Sequence, residues 1–563
     1  MIDIRNKPFY LDDEAVKWVT DTLESMDNDQ KIGQLFIHMM IPFGEHVQDA
    51  SLEKMTKDWM LGGIMYRPGE KDTIRRTSER LQSMSAIPML IAANLDSGGD
   101  GIVCEGTRVG AQMNMAATGD TNIAYLAGKV SAKEGLAVGC NWTFAPIIDI
   151  DYNWRNPITN TRTFGSDPAV VKAMAKSFVR GVSEQKHMAA CIKHFPGDGV
   201  DERDQHLMTT VNDLPAERWM ETYGSIYRDL IDQGVPTVMV GHILQPAWQK
   251  KLNPSLKDNQ LPPATLSSEL LKGLLRDILG FNGLIVTDAS QMLGFTTAVP
   301  RRLAVPGCIE AGCDMFLFGK CIEEDIQYMR QGLAEGILSQ KRLDEAVTRV
   351  LALKAHLSLH KKSFSKKLVP ESVIGCAEHK AAAKACADHS ITLVRDRDGL
   401  LPFTPERYRR ILLIFLGGEV GFISGNDVSS CVTMQFRKAG FEVEVYNGHD
   451  TMFDSFEDYK RKYDAVAYIA NITTASNQTS VRIAWRKPIC ADGPFFAADV
   501  PTIFISLSNP YHYVDVPSIG TIINAYSASD EIIDALMEKL SGKSEFVGIS
   551  PVNPYGDRWV AEN

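Results

Sequence analysis

The chain contains no Cys-x-x-Cys pair among its ten cysteines and no His-x-x-x-His enclosing a glutamate among its twelve histidines, which removes the common zinc signatures. His356 and His360 have the spacing without the acid, and are predicted to lie on a solvated helix face. There is no excess of positive charge. The net charge of -11 excludes nucleic acid as a main partner, because such partners select clustered Lys and Arg. No apolar run is long enough to span a bilayer. The N-terminal Met1-Ile2-Asp3-Ile4-Arg5-Asn6-Lys7 mixes charges and is followed by no apolar stretch, so no secretory signal is expected. The cysteines are scattered, several inside apolar runs, and read as reduced thiols of a cytoplasmic protein. What is present is 44% hydrophobic and 23% charged residues over 563 positions, a globular composition too long for one core.

Between about residues 30 and 320 short apolar runs alternate with longer amphipathic stretches. Eight runs read as strands: Ile32 to Met40, Gly63 to Tyr66, Met89 to Leu95, Trp142 to Ile150, Ala189 to His194, Thr237 to His242, Leu284 to Asp288 and Asp314 to Phe318. That repeat predicts a (β/α)8 barrel over residues 1–360, with a doubly wound sheet as the competing arrangement. A helical pattern from Lys341 to Leu357, a basic connector from His360 to Pro370 and a helix from about Ser372 to His389 follow, so residues 361–385 read as linker and connecting helix. Six further β-type runs, beginning at Ile391, Ile411, Phe441, Ala465, Thr502 and Thr521, predict an α/β sandwich domain over 386–563. Its exposed strand edges are compatible with a homodimer. Gly417-Gly418-x-x-Gly421 lacks the full dinucleotide spacing and reads as a plain turn.

Polar residues collect where the first eight runs end: Asp96, Asp149, Lys193 with His194, His242 and Asp288. Barrel active sites are built at those ends. The richest segment is Lys193-His194-Phe195-Pro196-Gly197-Asp198-Gly199, followed by Asp204-Gln205-His206. If the chain around Gln205 is extended, Asp204 and His206 share a side, and the carboxylate can hold one imidazole nitrogen while the other meets a substrate. Asp288 stands between a buried strand and an expected helix start, whose N-terminus would keep it ionised. An ionised carboxylate opposite a proton donor can break a glycosidic bond, although a helix cap alone would explain the same position. Asp96, before Gly98 and Gly99, can accept sugar hydroxyls; Arg162 and Lys193 can donate to hydroxyls or an acetamido oxygen.

On these residues the chain resembles the N-acetylglucosaminidase branch of glycoside hydrolase family 3. That branch carries Lys-His-Phe-Pro-Gly-His-Gly-x4-Asp-Ser-His, matched here from Lys193 to His206 except at two places. Leu95-Asp96-x-Gly98-Gly99, Phe144-Ala145-Pro146-Ile147-Ile148-Asp149, Arg162-x-Phe164-x-x-Asp167-Pro168, Gly283 to Asp288 and Ala311-Gly312-Cys313-Asp314-Met315 are similar to further family segments. In the second half Ser390 to Val394, Gly399-Leu400-Leu401-Pro402 and Asn509-Pro510-Tyr511 are similar to its sandwich.

The resemblance implies a retaining, exo-acting β-N-acetylglucosaminidase on small soluble amino-sugar glycosides, without metal or organic cofactor. Asp288 would be the nucleophile, His206 the acid/base and Asp204 its partner. Asp96, Arg162, Lys193 and His194 would hold the sugar, with His242 and Asp149 beside them. The family's β-glucosidase branch takes its acid from the second domain and lacks the Asp-x-His pair. The two departures are Asp198, where the branch has His, and Gln205, where it has Ser. A free imidazole titrates near ~6.5 and is neutral once it has given up its proton, so an anionic acceptor meets less repulsion than beside a spent carboxylate. Phosphate is therefore an alternative acceptor to water. A non-catalytic sugar-binding protein on the same scaffold is the third reading, opposed by the presence of Asp288, Asp204 and His206 together.

Overall fold

The computed structural model describes residues 2–41, 49–361, 369–417, 428–448, 455–485 and 492–556. Gly418 to Gly421, the middle of the basic connector and Cys490 lie outside the described residues.

Strands β1 (Phe36–Met40), β2 (Gly63–Tyr66), β3 (Leu90–Ala93), β4 (Trp142–Thr143), β5 (Ala189–Phe195), β6 (Thr237–Val240), β7 (Leu284–Thr287) and β8 (Phe316–Leu317) pair in parallel, in the order β8-β1-β2-β3-β4-β5-β6-β7. β7 reaches back to β8 through a parallel bridge between Val286 and Met315, with Thr287 N donating to Met315 O at 3.1 Å. The sheet therefore closes on itself, and the expected barrel, not the doubly wound sheet, is what the chain forms. β2, β3, β5, β6 and β7 are buried along their whole length, as parallel strands covered on both faces must be.

Two strands, β1 and β4, fall short of their apolar runs by four or more residues. Ile32 belongs to the helix Asn28–Gln34, which Asp27 and Gln30 close with a reciprocal capping box. After Thr143 the run Phe144 to Ile150 leaves the ladder at Ala145-Pro146, since proline has no N–H to give and restrains the residue before it. It stays tied to β5 by two isolated bonds, Cys191 N on Ala145 O (3.0 Å) and Ile148 N on Lys193 O (2.8 Å). At the opposite rim Asp314 accepts from Arg276 (2.7 Å), Arg342 (2.5 Å) and the Ile285 N–H (2.9 Å), a buried clasp between β7, β8 and the helix Gln340–His356. His356 is not solvated: its Nδ1 lies 2.9 Å from Phe9 O, and the His360 ring packs on Trp18 at 5.2 Å.

The second sheet comprises β9 (Thr392–Asp396), β10 (Arg410–Leu416), β11 (Glu442–Val445), β12 (Ala465–Ala470), β13 (Thr502–Ser506) and β14 (Thr521–Asn524), ordered β9-β14-β13-β12-β10-β11. Only β9 runs antiparallel to its neighbour. Alternation divides its residues between two cores: Ile411, Leu413, Ala465, Ala467 and Ile469 on one face, Leu412, Ile414, Val466, Tyr468 and Ala470 on the other. This is the expected sandwich. The helix Ala377–Ser390 straddles the expected boundary, giving Cys386 to the barrel core and Ala387 to the sandwich core. Buried polar bonds cross the same seam: Tyr511 Oη donates to Asp151 (2.7 Å), Asn160 Nδ2 to Asn509 (3.1 Å) and Asn114 Nδ2 to Ala525 O (2.7 Å).

Candidate active site

The polar strand ends meet at one rim. Asp288 directly follows β7, its N–H bonded to Val240 O of β6 (2.8 Å), and its side chain is almost entirely enclosed. No helix begins there; the next helical turn is Leu293–Thr296, and Asp288 Oδ1 accepts only from the adjacent Ala289 N (2.7 Å). The expected helix N-terminus is thus replaced by imidazoles. Burial opposes ionisation, but His194 foremost, with His206 and the Ala289 N–H, holds the carboxyl below its ordinary range. His194 Nε2 stands 3.7 Å from Asp288 Oδ2.

His194 is itself fixed from behind. Asp149 Oδ2 accepts from its Nδ1 (2.7 Å), and Asp149 Oδ1 from the N–H groups of His194 (3.1 Å) and Asp198 (2.8 Å). Burial disfavours the Asp149 charge; the His194 imidazole and these donors outweigh it and keep the carboxyl ionised. The ladder from β5 to β6 is irregular between Ile192 and Phe195, where strict alternation fails, so that Lys193 and His194 both serve the strand-end site. Lys193 Nζ donates to Asn94 Oδ1 (3.0 Å); burial lowers its pKa, Arg162 adds to that, and the Asp96 and Asp288 carboxylates oppose it. His242 is completely buried, with Thr265 Oγ1 3.0 Å from Nδ1 and Ala289 O 3.1 Å from Nε2. Burial pushes its pKa down to about 4 despite Asp288. Asp149 and His242 therefore depart from the expectation that they contact sugar: their polar atoms are consumed inside the protein, one behind His194 and the other beneath Ala289.

Asp204 and His206 are joined as expected but by another route. The segment is a turn closed by Leu207 N on Asp204 O (2.9 Å), not an extended strand. Asp204 Oδ1 accepts from both His206 Nδ1 (2.6 Å) and His206 N (2.9 Å), leaving Nε2 for chemistry. The turn rests on residues that follow Asp288: Leu293 N donates to His206 O (2.9 Å) and Gly294 N to Gln205 O (3.2 Å). Gly294 has no room for more, since a Cβ there would lie 2.8 Å from Gln205 O and 3.1 Å from Met208 O. Asp204 Oδ2 is held from the sandwich, by the N–H of Asn477 at 2.8 Å; Asn477 is left-handed at φ 68°.

A cavity of about 680 Å³ opens beside this rim, lined on the barrel side by Arg67, Asn94, Asp96, Asp100 and Arg162 and on the sandwich side by Asn471, Thr473 and Thr474. Arg162 spends one donor on Ile158 O (3.1 Å). The Asp288, Lys193, His194 and His206 side chains are outside this lining, adjoining it through the Lys193–Asn94 bond. Asn94 and Asp100 bound the run that carries Asp96 but had no role expected of them, and nothing pointed to Arg67 or Asn477. Arg67 follows β2 as Asp288 follows β7, and the same strand-end criterion would have found it. Asn477 contributes a main-chain N–H, which no side-chain pattern announces.

A family model described as glycosyl hydrolase family 3 N terminal domain matches residues 28–353. A protein of Cellulomonas fimi named beta-N-acetylglucosaminidase/beta-glucosidase is 44% identical over 566 residues, covering 99% of each chain. Among solved structures, beta-glucoside phosphorylase BglX bound to 2FGlc superposes with a TM-score of 0.93 at 43% identity, over 98% of this chain and 99% of that one. A family 3 β-N-acetylglucosaminidase from Paenibacillus sp. str. FPU-7 gives 0.78 at 25% identity, over 94% and 99%. No described helix is long and apolar enough to cross a membrane. With the family model spanning more than half of its length and a relative this similar from end to end, the chain belongs to glycoside hydrolase family 3.

Proposed function

We propose that the protein is a retaining, exo-acting β-N-acetylglucosaminidase. Asp288 attacks the anomeric carbon as a carboxylate while His206 Nε2–H protonates the departing oxygen; the neutral imidazole then takes a proton from the incoming water, which releases the sugar. Asp204 holds the imidazole through Nδ1, which leaves Nε2 to face the departing oxygen. Asp96, Arg162, Lys193 and His194 bind the sugar, and Asp149 and His242 position His194 and the Asp288 strand end. The observation that carries this reading is the 2.6 Å Asp204–His206 bond on a turn docked against the residues that follow Asp288. The test is release of an aryl leaving group from a β-N-acetylglucosaminide, with the corresponding β-glucoside beside it, since one similar relative is named for both sugars. Turnover of the N-acetylglucosaminide abolished by Asp288→Ala supports the reading, and an active Asp288→Ala protein refutes it.

A second acceptor is favoured by one specific feature. The acid/base group is an imidazole, neutral after the first step, so phosphate can approach the glycosyl-enzyme without facing a new carboxylate. The similarity to a protein called a β-glucoside phosphorylase points the same way. Comparing sugar 1-phosphate with free sugar in phosphate buffer decides it; indifference to phosphate leaves hydrolysis alone.

A further inference from the structure

The two places where this chain departs from the branch signature touch each other. Gln205 Nε2 donates to Asp198 Oδ2 at 3.1 Å, and Gln205 Oε1 accepts from the His242 N–H at 2.8 Å. Both side chains are buried, Asp198 at 3% and Gln205 at 2% exposure, so neither can exchange its partner for bulk water. Asp198 is anchored on every other side. Its N–H bonds Asp149, its Oδ1 accepts from Gly199 N (2.8 Å) and Asn156 Nδ2 (3.4 Å), and its carbonyl accepts from Tyr223 Oη (2.6 Å). A single line of bonds thus runs from Asp149, which holds His194, through Asp198 and Gln205 to the end of β6 behind Asp288, and the residue after Gln205 is His206.

We propose that Asp198 and Gln205 act as one positioning pair that fixes the reach of His206 toward the leaving group. The proposal rests on the assignment of His206 as acid/base. Losing Gln205 alone strands a buried carboxylate oxygen and a buried N–H; losing Asp198 alone strands a buried amide donor. Burial, and then Asp149, raise the Asp198 pKa well above the carboxylate range against the pull of the Gly199 N–H. Replacing both residues together by the branch's usual His and Ser removes the carboxylate and the amide at once, so neither is left facing a partner it has lost, while the His242 N–H loses Gln205 in the single and the double exchange alike.

The experiment compares Asp198→His, Gln205→Ser and the double exchange with the parent on two aryl β-N-acetylglucosaminides, one leaving as a weakly acidic phenol and one as a strongly acidic one. Each single exchange is expected to lower kcat for the weakly acidic phenol by ~10–100-fold, and by less than about threefold for the other, because only the former needs a proton. The double exchange is expected to recover to within about fivefold of the parent, a strong departure from additivity. Equal losses on both substrates, or a double exchange no better than the product of the singles, overturn the proposal. Should a single exchange fold poorly, Gln205→Glu serves instead. It keeps the shape, requires a proton shared with Asp198, and should add a limb along which kcat on the weakly acidic phenol falls as pH rises; no added limb overturns the pair. A parent inactive on every β-glycoside fails the acid/base assignment itself, and coupling is then read from thermal unfolding, where additive shifts of the two single exchanges refute the pairing.

Discussion

The two sides of the rim are built in opposite ways. Asp288 stands on the end of its own strand, its main chain is tied to β6, and the groups that stabilise its charge come from within the barrel, His194 on β5 foremost. His206 stands on a turn with no ladder at all, held by Asp204, by Leu293 and Gly294, and by the N–H of Asn477, 273 positions from the aspartate it bonds. The proposed nucleophile is thus held by the barrel alone, whereas the proposed acid/base is held by the barrel and the sandwich together. Damage to the sandwich loop should consequently appear in proton transfer and spare nucleophilic attack.

Asp288→Ala sharpens the contrast most. It should cost on the order of 10⁴-fold or more in kcat on every substrate, measured on both activated and unactivated aryl glycosides. His206→Ala should cost ~10²–10⁴-fold on a weakly acidic leaving group and far less on a strongly acidic one; equal losses would erase the proposed division of labour. At Asn477 a β-branched residue cannot adopt the left-handed backbone, so Asn477→Val should lower kcat about tenfold on weakly acidic phenols, and Asn477→Gly less. The same loss on activated substrates would mean that the sandwich loop serves both sides alike.

The smallest effect is on stability. His242 is buried neutral, with its folded pKa at about 4 against an ordinary 6.5. Between those values the unfolded chain binds more protons than the folded one, so stability present above pH 6.5 is lost as pH falls toward 4, by up to ~3 kcal/mol. Denaturant unfolding of the parent and of His242→Gln across that window should give a steeper dependence for the parent. Parallel curves would move the acid sensitivity elsewhere.

Most of the barrel was legible because parallel strands buried on both faces are continuous apolar runs ending in polar residues. β3, β5, β6 and β7 fall within their predicted runs or exceed them by a single residue. Where the rule failed, another force had intervened. Ile32 is apolar because its helix packs inward, and Phe144 to Ile150 is apolar because it is buried, although Pro146 keeps it out of the ladder. The Asp204–His206 contact was legible from spacing, yet its turn was not, because the bonds that bend it come from Leu293, Gly294 and Asn477. Asp149 and His242 were legible as strand-end polar groups but not as internal ones, since sequence shows which side chains are polar and not which of them are already satisfied.

The central claim is that Asp288 forms the bond to the sugar. Incubation with a slowly released fluorinated N-acetylglucosaminide or glucoside, followed by peptide mapping, tests it directly. One sugar adduct is expected on Asp288, absent from Asp288→Ala. An adduct on Asp96 or Asp204, or turnover with inverted product and no adduct at all, would contradict it.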